Sequence, residues 1–431
     1  MASLAAAGKW IVLCTHNGIR ALRKKSEQTF SYDFPSEWED EGKQGIDVFH
    51  PCEFSTCCRF FAAGSGHNVA LFDTIPVWKL VFLWSVGRKC TALTFHPSST
   101  QLWVADKSGD VFAYDIPQIC NLHAYSPPRI PLVTTVKMLK LGHVSMLLDM
   151  AFSVNGMLLV TADRDEKVRV SNYHKPHVIV GYCLGHKQFV SRLLMLSNHP
   201  NWLVTGSGDG TLRLWDFTIC EELCVLSLGS TIESPGSSKT AKQTDIVTSI
   251  VYSSLGDRLV VACEGANHVK LFTLSNEDHP QILFSESLQL DAAVLALTFD
   301  PKGRLWVLQA DRDKPVRLFG IDWKEIEDHF LSQFVESVLD NWEDITGRTS
   351  RALSSLYKQP SDCTLPYFNQ KRKRLGEVEA KASSADTSQE NLIRNEQAQN
   401  ERMGNSDDSN SGHEVLNTTP KSKCLKHSAL V

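Results

Sequence analysis

Between Leu141 and Asp216 the chain contains one unit written twice, and this repeat constrains the fold more than anything else in the sequence. Gly142-His143 returns as Gly185-His186 (185 − 142 = 43), Thr161 as Thr205 (205 − 161 = 44) and Arg169 as Arg213 (213 − 169 = 44). Runs such as Met157-Leu158-Leu159-Val160 and Leu212-Arg213-Leu214-Trp215 are short, apolar or alternating, and bounded by Gly, Asn and Asp, the pattern of strands joined by tight turns. A unit of this size cannot bury its apolar face alone, so copies must stack and share a core.

A period of about 43 residues, with Gly-His near the start and Trp-Asp at the end, is the mark of a WD40 β-propeller, an all-β fold. Aligning the ends of the third strands gives Leu71-Phe72-Asp73, Ala113-Tyr114-Asp115, Val170-Ser171-Asn172, Leu214-Trp215-Asp216, Leu271-Phe272-Thr273 and Leu318-Phe319-Gly320, which makes six blades visible. Two spacings are long because of the insertions Pro117 to Pro131 and Ser230 to Gln243. A ring must join its ends to remove open sheet edges, so a seventh, composite blade is expected, with a strand near Trp10 (Trp10 to Cys14) as donor. Ile19 to Leu22 reads as a further strand, and Lys24 to Gly45 as an exposed loop. In blades of this kind the Gly-His histidine bonds an aspartate in the turn before the third strand, which pairs His143 with Asp165 and His186 with Asp209. Trp215 completes the structural set, since buried polar groups need partners.

The blades occupy residues 1–320. From Trp323 onward Ile326, Phe330, Phe334, Val338 and Trp342 recur at steps of three and four, which predicts an amphipathic helix in a connector or ring-closing segment over residues 321–360. Lys371-Arg372-Lys373-Arg374 then opens a polar tail, residues 361–431, expected to be disordered. The basic cluster suits nuclear import, contact with tRNA phosphates, or a solvated charge run with neither role, and the expected location is nuclear.

With 44 basic and 49 acidic residues the formal charge is −5, so no global field draws the chain to nucleic acid or membrane. The 12 cysteines lack paired metal-ligand spacing and read as small hydrophobes of a reducing compartment. No apolar run approaches the ~18 residues of a membrane span, so a soluble intracellular protein is expected. Gly206-Ser207-Gly208-Asp209-Gly210 looks like a cofactor loop, but it leads into a strand, whereas such loops open a helix whose N-terminus takes the phosphate. Neither a nucleophile elbow nor an HExxH metal motif occurs, and the chain is not expected to be an enzyme.

One turn departs from the repeat. Asp163-Arg164-Asp165-Glu166-Lys167-Val168-Arg169 crowds six charges where its sister, Ser207 to Arg213, has two. A solvated turn explains this as well as an electrostatically specified protein contact does. Thr161 to Ser171, which contains this turn, with Arg88 to Phe95, Val104 to Val111, Gly142 to Asp149, Cys183 to Arg192, Ser207 to Trp215 and Ser354 to Lys358, resembles the WD-repeat, non-catalytic subunit of the tRNA (guanine-N7)-methyltransferase over roughly Trp10 to Lys358.

That resemblance implies a scaffold that binds a separate catalytic subunit and meets tRNA through the complex. It implies no cofactor here, with S-adenosylmethionine in the partner. It also implies a partner contact through Arg164, Glu166, Lys167 and Arg169, with Lys167 salt-bridged to an acid of the methyltransferase and Arg169 held by neighbouring acids. The alternative is a substrate receptor of a ubiquitin ligase or a general scaffold. Receptors of the cullin-4 type often carry an arginine two residues after Trp-Asp, whereas here Trp215-Asp216 continues as Phe217-Thr218.

Overall fold

The computed structural model describes residues 2–15, 17–23, 28–34, 51–116, 138–229, 245–275, 279–327, 329–346 and 353–358. They form seven antiparallel sheets in chain order. Blade 1 holds β1 (Ser3–Ala7), β2 (Trp10–Cys14), β3 (Gly18–Arg23) and β4 (Thr29–Asp33). Blade 2 holds β5 (Cys52–Phe54), β6 (Phe60–Ser65), β7 (Asn68–Asp73) and β8 (Lys79–Ser85), and blade 3 holds β9 (Cys90–Phe95), β10 (Gln101–Asp106), β11 (Asp110–Asp115) and β12 (Met138–Gly142). Blade 4 is β13 (Leu147–Phe152), β14 (Leu158–Asp163), β15 (Val168–Asn172) and β16 (Ile179–Cys183), and blade 5 is β17 (Val190–Met195), β18 (Trp202–Ser207), β19 (Thr211–Asp216) and β20 (Glu221–Ser227). Blade 6 is β21 (Val247–Ser253), β22 (Arg258–Cys263), β23 (His268–Ser275) and β24 (Gln281–Gln289), and blade 7 is β25 (Val294–Phe299), β26 (Leu305–Gln309) and β27 (Val316–Phe319).

The first strands of the blades touch in succession, and β25 packs on β1, so the ring is closed. Closure does not use a composite blade. Residues 3–33 supply a whole blade of their own, because Ser3–Ala7 is a strand and Thr29–Asp33, inside the segment expected to be a loop, is the blade's outer strand. The join is apolar: Ala2, Leu4, Ile11 and Leu13 from blade 1 share one cluster with Ala296, Trp306, Leu308 and Leu318 from blade 7. The alanines and short apolar residues of β1 let the two sheets approach face to face, so no strand has to be shared.

Among the described residues blade 7 has three strands, and beyond β27 the backbone folds back through the bridge Phe319 to Glu325, with Ile326 N donating to Leu318 O. Trp323 takes a left-handed backbone (φ +60°) in a turn, so the helical period counted from it begins too early. The helix α1 is His329–Leu339, followed by the short helix α2, Trp342–Thr346. Phe334, Val338 and Ile345 are buried in the cluster that joins blades 7 and 1, and Phe334 stacks edge-on against Trp306. The helix is therefore a wedge over the closing seam, docked on the propeller's own side. Propeller and connector form one compact unit, Met1–Tyr357. No described helix is long and apolar enough to cross a membrane.

Truncating the wedge should open the seam. Phe334→Ala removes a fully enclosed ring and should lower unfolding free energy by about 3–5 kcal/mol, read by denaturant titration. A loss under about 1 kcal/mol would show that the seam closes without the helix.

Candidate functional site

In a four-stranded meander the second-to-third turn and the link to the next blade lie at the same end of the ring. At that end blade 5 carries the full set of buried partners. His186 Nδ1 lies 3.1 Å from Asp209 Oδ2, its Nε2 lies 2.7 Å from Thr205 Oγ1, and Trp215 Nε1 donates to Thr205 Oγ1 at 2.9 Å. Thr205 accepts from the indole, so its hydroxyl proton goes to Nε2 and the imidazole proton sits on Nδ1, facing the carboxylate. Burial works against ionised Asp209, but His186, Thr211 and the Lys187 amide outweigh it and hold the carboxyl below the usual carboxylate range.

Blade 4 is built differently from the expectation. His143 Nδ1 meets Asp163 Oδ2 at 3.1 Å, with Nε2 2.8 Å from Thr161 Oγ1; Asp165 is not its partner. Asp163 is the last residue of β14, where blade 5 has Ser207, and from there its Oδ1 accepts the amides of Asp165 (2.9 Å) and Lys167 (3.1 Å). One carboxylate thus fixes both the histidine and the turn. Replacing Trp215 at the matching position is Ser171, which accepts from Arg169 Nε at 2.9 Å.

The turn is also strained. Glu166 is left-handed (φ +71°), at the place where blade 5 has Gly210 (φ +73°). For a residue with a side chain this costs about 1–2 kcal/mol, so the surrounding contacts must hold it. Arg164 N donates to Met146 O at 2.9 Å and Arg164 Nε to Leu356 O at 2.8 Å, so its guanidinium serves an intramolecular contact. Lys167 is exposed, and among the described residues its side chain has no ion-pair partner. Arg169 is buried and is not held by the neighbouring acids. It already lies inside β15, and its guanidinium reaches three neutral acceptors: Ser171 Oγ, Gly142 O (3.2 Å) and Pro176 O (3.0 Å). Burial lowers its pKa. The equivalent cations Arg213, Lys270 and Arg317 instead reach carboxylates, those of Glu222, Asp245 and Glu325.

Beside Lys167 lies a surface that sequence reasoning missed. Val168 pairs with Cys183 across β15 and β16, which brings Leu184 next to the turn. Leu184, Tyr182, Val180, Ile179 and Val178 are all exposed along this outer strand, and Val144 is fully exposed at the same end of the blade. The signal was present, since His177-Val178-Ile179-Val180 lacks the polar alternation of a solvated edge strand. The basic cluster Lys371, Arg372, Lys373 and Arg374, and the tail as a whole, lie outside the described residues.

Comparison with known proteins shows the family. Residues 131–315 match the family model described as tRNA methyltransferase TRM82 WD40 domain. The chain is 34% identical over 360 residues to the Xenopus laevis tRNA (guanine-N(7)-)-methyltransferase non-catalytic subunit wdr4, covering 81% of this chain and 86% of that one. The chain belongs to this family of non-catalytic subunits. The human relative of the same name is 33% identical over 81% of this chain and 80% of its own, and the Danio rerio relative 31% identical over 91% and 96%. A chain from the crystal structure of the mitotic checkpoint complex superposes with a TM-score of 0.56 at 13% identity, covering 76% of this subunit and 90% of that chain, a likeness of fold alone.

Two carboxyls on the innermost strands of this subunit stand apart from the turn. Asp149 on β13 accepts Leu193 N (2.8 Å) and Met150 N (2.9 Å), tying blade 4 to blade 5, and burial raises its pKa. Glu53 on β5 keeps some accessible surface, yet enclosure by the ring raises its pKa to about 8 against the opposing hydrogen bond from Thr94, with Asp149 adding a smaller upward push. Both are accounted for by packing and main-chain bonds.

Two measurements follow. Asp163→Ala strands the His143 imidazole and two turn amides, and should cost about 1–3 kcal/mol, clearly more than Asp165→Ala; equal losses in urea titrations would return the staple to Asp165. Glu53 holds its proton more tightly folded than unfolded, so its contribution is intact at low pH and is lost as pH rises through about 8. The Tm advantage of Glu53→Gln over the parent should therefore widen from pH 5 to pH 9, and parallel profiles would count against the burial account.

Proposed function

We propose that this chain serves the methyltransferase by presenting blade 4 to the catalytic subunit, with Lys167 as the charge that pairs with an acid across the interface. The observation that carries the reading is the join of an exposed lysine without an ion-pair partner among the described residues to the exposed apolar strand β16. An apolar centre beside a specific charge is the anatomy of a protein interface. Glu166 and Arg164 set the turn that carries the lysine, and Arg169 braces the strand behind it.

S-adenosylmethionine belongs to the partner in this reading, which suits a glycine-rich loop that enters β19, a strand. The tRNA is met through the complex. The protein works in the nucleus, an assignment supported by the four consecutive cations Lys371 to Arg374.

Lys167→Glu places two acids together, and close like charges across an interface cost several kcal/mol. Affinity for the catalytic subunit should fall by about a hundredfold or more, while circular dichroism and Tm stay at parent values because the side chain is exposed. Unchanged affinity in a calorimetric titration would refute the assignment. Arg169→Leu should behave differently, lowering Tm together with affinity, because it strands three acceptors, two of them on the buried residues Ser171 and Pro176.

A further inference from the structure

Leu353–Leu356 forms one turn of 3-10 helix, and with Tyr357 it lies across the loop end of three blades. Leu353 and Leu356 are buried against Leu148 of blade 4, Phe189 at the entry to blade 5 and Ile246 at the entry to blade 6, with Met146 and Tyr357 at the edge of the cluster. Each end of the turn is tied to a different blade. The Glu264 carboxylate, in the second turn of blade 6, accepts the amides of Leu353 and Ser354, two of the orphan donors at a helix start. Arg164 Nε takes the carbonyl of Leu356 at 2.8 Å, and the Tyr357 hydroxyl donates to Gly208 O in the second turn of blade 5.

Arg164 sits between Asp163, which staples the turn, and Glu166, which holds the unfavourable left-handed backbone. Its amide is fixed on Met146 O and its side chain on the strap, and Met146 itself packs against the strap's leucines. The strap and the strained turn are thus a single arrangement, because releasing the strap removes the bond from Arg164 Nε and the packing on Met146, the residue that accepts Arg164 N. We propose that Leu353–Tyr357 is a latch that keeps the Asp163–Lys167 turn in its partner-binding conformation, which makes Arg164, Glu264 and Tyr357 positioning residues for the methyltransferase interface. The proposal rests on the reading that Lys167 contacts the catalytic subunit.

A coupling of this kind spans about 5–150-fold in affinity. In the full-length chain, Leu353→Asp puts a charge into the apolar cluster and should weaken binding of the catalytic subunit about tenfold, while speeding amide exchange at both 353–357 and 164–167. Tyr357→Phe removes one donor without disturbing the cluster and should give a smaller change of the same sign. In a Lys167→Ala background the additional loss from Leu353→Asp should vanish, since a latch acts through the lysine it places. The latch is overturned if exchange shows the strap released while affinity stays within twofold of the parent, or if the loss remains fully additive with Lys167→Ala. If Leu353→Asp fails to fold, Tyr357→Phe and Arg164→Met carry the same comparison, and normal affinity in both overturns the proposal. A Lys167→Glu variant that binds normally defeats the interface reading and the latch together, whereas a weakened Lys167→Glu with unaffected strap variants defeats the latch alone.

Discussion

The apolar seam between blades 7 and 1 is the constraint on which the remaining structure depends. Six of the seven joins connect blades adjacent in sequence, where the chain itself limits how far the sheets can separate; the seventh must be held by contact alone. Shared strands solve this in many rings by hydrogen bonding. Here Leu4, Ile11, Trp306, Leu308 and the wedge residues Phe334 and Val338 do so by burial. Dispersion and water exclusion have no register, so this closure tolerates a three-stranded last blade that a hydrogen-bonded seam would not. It also explains why the connector helix is part of the propeller unit: without α1 the outer side of β26 and β27 would face water.

The Arg169 family of cations shows how a repeat can keep a position while changing its chemistry. Arg213, Lys270 and Arg317 each reach a carboxylate, but Arg169 reaches two carbonyls and a hydroxyl. Neutral acceptors return less Coulomb energy for the desolvation that lowers its pKa, so the site depends on geometry more than on charge. The acids beside it in sequence are engaged elsewhere: Asp163 holds His143 and two turn amides. Charge counted along the sequence therefore overstated the role of ion pairs in this turn.

The fold was legible because periodicity survives in the third strands, and those six ends fall in the third strands of blades 2 to 7, with Gly320 alone one residue beyond β27. Blade 1 escaped notice for physical reasons. Ser3–Ala7 ends in three alanines, which carry no alternation to read, and Thr29–Asp33 alternates but is flanked by charge. The His143 partner was misread because alignment by residue number matches Asp165 to Asp209, whereas in blade 4 an aspartate stands two residues earlier, at the end of β14 where blade 5 has Ser207, and takes the imidazole. The strap was less visible still. Leu353, Leu356 and Tyr357 form too short a pattern for any period, and their burial depends on Glu264, Gly208 and Arg164, each from a different blade.

Those three contacts also bear on why a binding surface would be placed on a strained turn. A flexible six-charge loop would lose conformational entropy on meeting its partner, and that loss would subtract from affinity. Asp163 removes part of it before binding by fixing two amides, and Glu166 held left-handed shows that the fixed state is not the one the local sequence favours. Left to itself, such a turn would relax; the tie from Arg164 to Leu356 opposes that relaxation from outside the blade. A rigid lysine beside an apolar strand is then available from a scaffold whose energy of ordering was met in folding, which is the physical service a non-catalytic subunit can offer to an enzyme.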